Sequence, residues 1–346
     1  MFMVPGDTLD KDLAERGPLI DRFGRAITYL RMSVTDRCDL RCAYCMPERM
    51  VFLPRKDVLT LDELERLADG FIARGITRIR LTGGEPLVRR GIMDVIERLG
   101  RRIGTGLAEL TLTTNGTQLA THAEALAKAG VRRINVSLDT LERDRFAALT
   151  RRDALPSVIE GIDAALAAGL HVKLNTVALK GQNEGELPDL VEWAHRRGAS
   201  ISFIEVMPLG EVEADRFDQF LPLVAVRDRL EARWTLKPSP YRTGGPARYF
   251  DVLQTGGRIG FISPLTDNFC AGCNRIRVTA TGQLFPCLGG GERVDLRSAL
   301  RSTMPDAALA QALDRAMAIK PKRHDFGIGR PGAAPAQARH MSVTGG

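Results

Sequence analysis

The stretch LDELERLADGFIARGITRIRLTGGEP, residues 61–86, decides how the chain is built. From Leu61 to Arg74, the residues Leu61, Leu64, Leu67, Ala68, Phe71 and Ile72 fall at helical spacing, and Gly75 stops the helix. Thr77 to Thr82 then reads as a strand. Gly83-Gly84-Glu85-Pro86 reads as a tight turn at its end, where a backbone can approach a ligand closely.

The same unit recurs in both directions. Ile27 to Thr35 reads as a first strand ending at Asp36-Arg37-Cys38. Helices are expected over about Val88 to Arg101, His122 to Ala129, Leu155 to Ala168 and Leu187 to Arg197. Strands are expected at Leu110 to Thr114, Arg132 to Leu138, His171 to Leu179 and Ser200 to Met207. Such alternation implies parallel strands joined by right-handed crossovers. Six units are too few for an eight-unit barrel. The expected fold is therefore α/β, a partial (β/α)6 TIM-type barrel, with a doubly wound sheet as the alternative. The unusual residues gather at the C-terminal ends of the strands, where catalytic loops sit in such folds.

Beyond Pro208 the rhythm changes to a helix at about Leu223 to Arg233 and strand-like runs at Ala247 to Leu253, Arg258 to Ile262 and Ile276 to Phe285. This reads as a smaller C-terminal α+β segment covering the open side of the barrel. The expected divisions are a polar leader 1–23, the barrel 24–208, the C-terminal segment 209–326 and a flexible tail 327–346 ending in Gly345-Gly346.

At 346 residues, with 44% apolar and 26% charged side chains, the chain suits one barrel-sized domain plus an appendage. A net charge of +7 favours anionic partners, yet aromatics are only 5% and no basic stretch interleaves with them. The charge therefore points to a small phosphorylated substrate and not to nucleic acid. Residues 1–17 lack the apolar run of a secretory signal, and no run of about 18 apolar residues suggests a membrane span. A cytoplasmic setting is expected, with the chain a monomer or a homodimer.

In such a compartment clustered cysteines are more often metal ligands than disulfides. All six cysteines fall into two trios: Cys38, Cys42 and Cys45 in a loop directly after a strand, and Cys270, Cys273 and Cys287. Structural zinc normally takes four closed ligands, and no histidine lies near either trio in sequence. Three thiolates suit a four-iron cluster with one iron left open, which can chelate an amine and a carboxylate.

The loop Cys38-Asp-Leu-Arg-Cys42-Ala-Tyr44-Cys45 resembles the hallmark of the radical S-adenosylmethionine superfamily. Five further stretches are similar to the GTP 3′,8-cyclase family of molybdenum cofactor biosynthesis. They begin at Arg31, Arg80, Thr113, Asn135 and Cys270, and the closing Gly345-Gly346 fits as well. The resemblance implies two [4Fe–4S] clusters, with Cys38, Cys42 and Cys45 holding the one that cleaves S-adenosylmethionine. Tyr44, Gly83, Gly84, Glu85, Ser137 and Met207 would contact that cosubstrate, and Arg31, Arg80, Thr113, Lys173, Arg275 and Arg277 would bind GTP. Planar guanidinium groups grip phosphate oxygens bidentately, and period two puts Arg275 and Arg277 on one strand face.

By the same resemblance, a 5′-deoxyadenosyl radical abstracts the C3′ hydrogen of GTP and the C3′ radical adds to guanine C8. The second cluster, on Cys270, Cys273 and Cys287, would bind the guanine base, and the Gly-Gly tail would enter the site. Implied partners are an electron donor and cyclic pyranopterin monophosphate synthase. Two alternatives share the cysteines: a radical S-adenosylmethionine peptide-modifying enzyme with an auxiliary cluster, and a non-catalytic iron–sulfur or zinc protein.

Overall fold

The computed structural model describes residues 13, 15–212, 216–327, 332 and 334–345. Six parallel strands follow one another across the sheet: β1 (Tyr29–Ser33), β2 (Arg78–Thr82), β3 (Glu109–Thr114), β4 (Arg133–Ser137), β5 (His171–Ala178) and β6 (Ser200–Glu205). Helices Leu61–Ala73, Ile92–Gly100, Leu119–Lys128, Leu155–Ala167 and Leu187–Arg196 form the crossovers. The sheet is open, as a partial barrel requires.

The C-terminal segment extends this sheet at both edges. β9 (Arg258–Ile262) pairs parallel to β6, with β8 (Arg248–Val252) and β7 (Leu236–Pro238) beyond it. β10 (Arg275–Val278) pairs parallel to β1, followed by β11 (Gln283–Phe285) and β12 (Val294–Asp295). The run expected from Ile276 to Phe285 is thus a hairpin. Thr279 N donates to Gln283 O, and Gly282 at φ +80° turns the chain.

Strand period two separates the faces. Leu30, Met32, Ile79, Leu81, Leu112, Ile134, Val136, Leu174, Ile201 and Phe203 are buried in the core shared with the helices. The helix Leu61–Ala73 turns Leu64, Leu67, Ala68 and Phe71 inward. A capping box starts it: Glu63 N donates to Thr60 Oγ1 at 3.1 Å, and Thr60 N donates to the Glu63 carboxylate at 2.8 Å. Burying each large side chain contributes about 1.5–3 kcal/mol.

The longest helices that the sequence did not lead one to expect are Arg143–Thr150 and Pro305–Ile319. The second carries Leu309, whose Cδ2 would lie 2.7 Å from a Cβ at Gly70, so that glycine admits the helix. The helix expected from Val88 begins only at Ile92, because Gly91 at φ +76° parts it from a short turn at Pro86–Val88.

Candidate active site

Two adjoining cavities lie among the strand ends and the C-terminal segment. The first is walled by Cys38, Cys42, Tyr44, Cys45, Gly83, Gly84, Thr113, Asn115, Ser137 and Met207. Its loop leaves β1 and is stitched to the barrel by Arg41 N to Thr150 O and Ala43 N to Leu149 O, both 2.8 Å. Tyr44 OH donates to Asp139 Oδ2 at 2.5 Å, and Asp139 Oδ1 accepts from Val177 N at 2.8 Å. Burial raises the Asp139 carboxyl to about 6.

Gly83 and Gly84 are required by packing as well as by access. A Cβ at Gly83 would stand 2.5 Å from Thr35 O, and one at Gly84 2.4 Å from Arg37 O. Glu85 is not on the cavity wall. It is fully buried behind the turn and accepts from Asn115 N at 2.6 Å, Thr114 Oγ1 at 2.8 Å and Leu87 N at 3.0 Å. Burial lifts its carboxyl to about 7.

The second cavity is lined by Arg31, Arg80, Lys173, Arg275 and Arg277, with Tyr29, Asn135, His324 and all of Cys270, Cys273 and Cys287. No carboxylate stands among its described lining residues. Strand register explains the gathering: Arg31 sits opposite Arg277 on one side and Arg80 on the other. In-register parallel neighbours share a face, so three guanidinium groups form one row. Lys173 faces Asn135 in register, and Asn135 faces Thr113. Thr113 itself lies on the wall of the first cavity, 3.4 Å from Arg80 Nη1.

Burial, reinforced by Arg277 and Arg80, pulls Arg31 well below its usual range. Burial with Arg80, Arg133 and Arg31 does the same to Lys173, whose Nζ donates to Tyr249 OH at 3.3 Å. Burial and then Arg275 bring Arg277 down to about 10. A buried, self-repelling set of cations is relieved by a polyanion.

Both trios consist of free thiols. Burial pushes Cys38 up to about 12 and Cys45 to about 11, and it lifts Cys42 well above the thiol range. A coordinating metal deprotonates such thiols outright, so this donor set fits an iron–sulfur group. Cys273 also meets a burial penalty, but Arg275, Lys320 and Arg277 pull it down to about 7. Among the described residues no three metal-ligating side chains converge on one ion's position. A cluster instead spreads its thiolates over separate irons.

Residues 32–194 match the family model described as Radical SAM superfamily, and residues 199–326 match Molybdenum Cofactor Synthesis C. A GTP 3′,8-cyclase of Erythrobacter litoralis (strain HTCC2594) is 71% identical over 328 residues, covering 95% of this chain and 98% of that relative. One from Sinorhizobium medicae (strain WSM419) is 62% identical over 329 residues, 95% of this chain and 94% of that one. The chain belongs to the GTP 3′,8-cyclase family.

Membership of the radical S-adenosylmethionine superfamily carries a [4Fe–4S] cluster and S-adenosylmethionine with it. The fold agrees. Streptococcus suis SuiB bound to S-adenosylmethionine superposes with a TM-score of 0.59 at 17% identity, over 85% of this chain and 66% of that one. Native anSMEcpe with bound AdoMet gives 0.57 at 15% identity, over 80% and 81%.

Several residues of this GTP 3′,8-cyclase family member were given no role of their own in the sequence. Asn115 donates to Asp39 Oδ1 at 2.6 Å and stands 3.7 Å from Cys38 Sγ. Lys320, almost fully buried, donates to Pro286 O at 2.6 Å and Arg275 O at 2.9 Å, tying the second trio's loops together. Arg25 donates to Cys270 O and Pro321 O while paired with Asp21. The signal for Lys320 and Arg25 is weak, because their partners are backbone carbonyls. Gly345 lines the second cavity, and a Cβ there would stand 1.8 Å from Thr82 Oγ1. Gly346 lies outside the described residues.

Proposed function

We propose that the chain converts GTP to (8S)-3′,8-cyclo-7,8-dihydroguanosine 5′-triphosphate, a step of molybdenum cofactor biosynthesis. The observation that carries this reading is a cavity with five cations and no described carboxylate, adjoining the one walled by Cys38, Cys42 and Cys45. Arg31, Arg80, Lys173, Arg275 and Arg277 bind the triphosphate, and Thr113 lies beside Arg80. Tyr44, Gly83, Gly84, Ser137 and Met207 hold S-adenosylmethionine, and Glu85 keeps the turn in shape from behind.

A [4Fe–4S] cluster on Cys38, Cys42 and Cys45 supplies, when bound, the low-potential electron for reductive cleavage of S-adenosylmethionine, and so the 5′-deoxyadenosyl radical. A second on Cys270, Cys273 and Cys287 would supply an open iron for the guanine base. The chain's own share is to hold ribose C3′ against the adenosyl C5′ and to keep quenchers out. The Gly345-Gly346 tail reaches the same cavity through Gly345.

In this reading residues 24–208 activate the cosubstrate, 209–326 carry the second trio, and 1–23 and 327–346 are leader and tail. Among the described residues no helix is long and apolar enough to cross a membrane. The proposed setting is the cytoplasm, with an electron donor and cyclic pyranopterin monophosphate synthase as partners and the chain a monomer or homodimer. The test is anoxic incubation with GTP, S-adenosylmethionine and dithionite, followed by mass spectrometry. The 3′,8-cyclic nucleotide is expected, and its absence from fully reconstituted protein overturns the proposal.

A further inference from the structure

Four residues line both cavities: Asn175, Ile204, Met207 and Met341. This shared wall is where the two ligands meet, and where a hydrogen atom must pass from ribose C3′ to adenosyl C5′. Of the four, Asn175 alone brings strong hydrogen-bonding groups. The carbon that gives up its hydrogen carries a hydroxyl, as does its neighbour C2′, and an aliphatic or thioether wall cannot hold those hydroxyls in place.

The surroundings of Asn175 fix its amide. It lies on β5 in register with Ser137 on one side and Ser202 on the other. Its Oδ1 accepts from Asn135 Nδ2 at 3.3 Å. Asn135 is 2% exposed, and its own Oδ1 finds no partner among the described residues. A buried amide left half satisfied costs free energy, so its persistence at this place suits a role toward a ligand. With Oδ1 engaged, Asn175 keeps Nδ2 to donate into the junction.

We propose that Asn175 is a substrate-positioning residue whose Nδ2 donates to a ribose hydroxyl of GTP at the junction, and that Asn135 sets its orientation. The inference rests on the cyclase reading and adds the contact that aligns C3′ for hydrogen transfer. Triphosphate affinity belongs to the cation row. Loss of Asn175 should therefore leave binding nearly intact and spoil alignment, since a small displacement of a reacting atom costs rate steeply.

The test uses reconstituted full-length enzyme, S-adenosylmethionine and GTP deuterated at C3′. For Asn175→Leu, which preserves volume, the ratio of 5′-deoxyadenosine to cyclic product should rise about tenfold over wild type, and deuterium in the 5′-deoxyadenosine should fall. Asn175→Ser, which keeps a hydroxyl, should recover part of the coupling. Asn135→Leu should shift the ratio the same way by less. GTP affinity by anaerobic calorimetry should stay within about threefold, with iron content unchanged.

An unchanged ratio in Asn175→Leu overturns the proposal. So does a loss of GTP affinity or iron that accounts for the defect, or a rise confined to the KM for S-adenosylmethionine. If Asn175→Leu does not fold, Asn175→Ala, which also lacks a hydrogen-bonding group, carries the same decision. Wild-type enzyme that yields no cyclic product sinks the cyclase reading itself, and that control separates the two failures.

Discussion

Arg31, Arg80 and Arg277 stand in register on three adjacent strands, with Lys173 further along the same wall. Folding draws these charges out of water against one another, a cost that a bound triphosphate would offset. Arg275→Ala is expected to weaken GTP binding by about 1.5–3 kcal/mol, the range for hydrogen bonds to charged groups. Anaerobic calorimetry measures it, and unchanged affinity removes Arg275 from the grip. Glu85 acts differently, since its carboxylate collects three donors behind the glycine turn. Glu85→Ala leaves those donors buried and unpaired, at about 1–3 kcal/mol for each one that water cannot reach. Chemical denaturation of the variant should show a loss of about 3 kcal/mol or more, and a loss below about 1 kcal/mol would contradict the geometry.

At the scale of elements, the Gly83-Gly84 turn and the segment after β1 are shaped against each other. The Cβ positions of both glycines fall on the Thr35–Arg37 backbone, immediately before Cys38. A methyl at Gly84 must push that backbone away and move the first trio with it. Gly84→Ala is therefore expected to lose the first cluster and keep the second, giving about four irons per chain instead of about eight. Iron and sulfide analysis decides, and a full complement would show that the segment gives way freely. The helix Pro305–Ile319 makes the converse point. Its Leu309 packs on Gly70, and its Ala-rich sequence makes no sharp local signal, so the sequence did not announce it.

Across the whole molecule, the two matched family regions meet between residues 194 and 199, yet the sheet does not divide there. β1 depends on β10 and β6 on β9 for their outer hydrogen bonds. A fragment of residues 1–208 would expose both edges, and bare parallel edges invite aggregation. Such a fragment is expected to form large aggregates by light scattering, whereas the full chain is expected to stay a monomer or homodimer. A monomeric, cooperatively folding fragment would refute this dependence.

Local order was legible from the start. Helical periodicity, glycine stops and β-branched runs are short-range properties, so the six strand–helix units, their direction and the two thiol trios could be read directly from the chain. Functional side chains at strand ends followed from the same pattern. Asn175, a residue type that strands disfavour, was a signal that could have been used. Strand adjacency was different. Arg277 lies beside Arg31 only because a parallel pairing closes across nearly the whole chain, and no local period encodes that neighbour. The row of arginines and the two-sided place of Asn175 were therefore decided by tertiary structure, because hydrogen-bond register between distant strands sets which side chains share a wall.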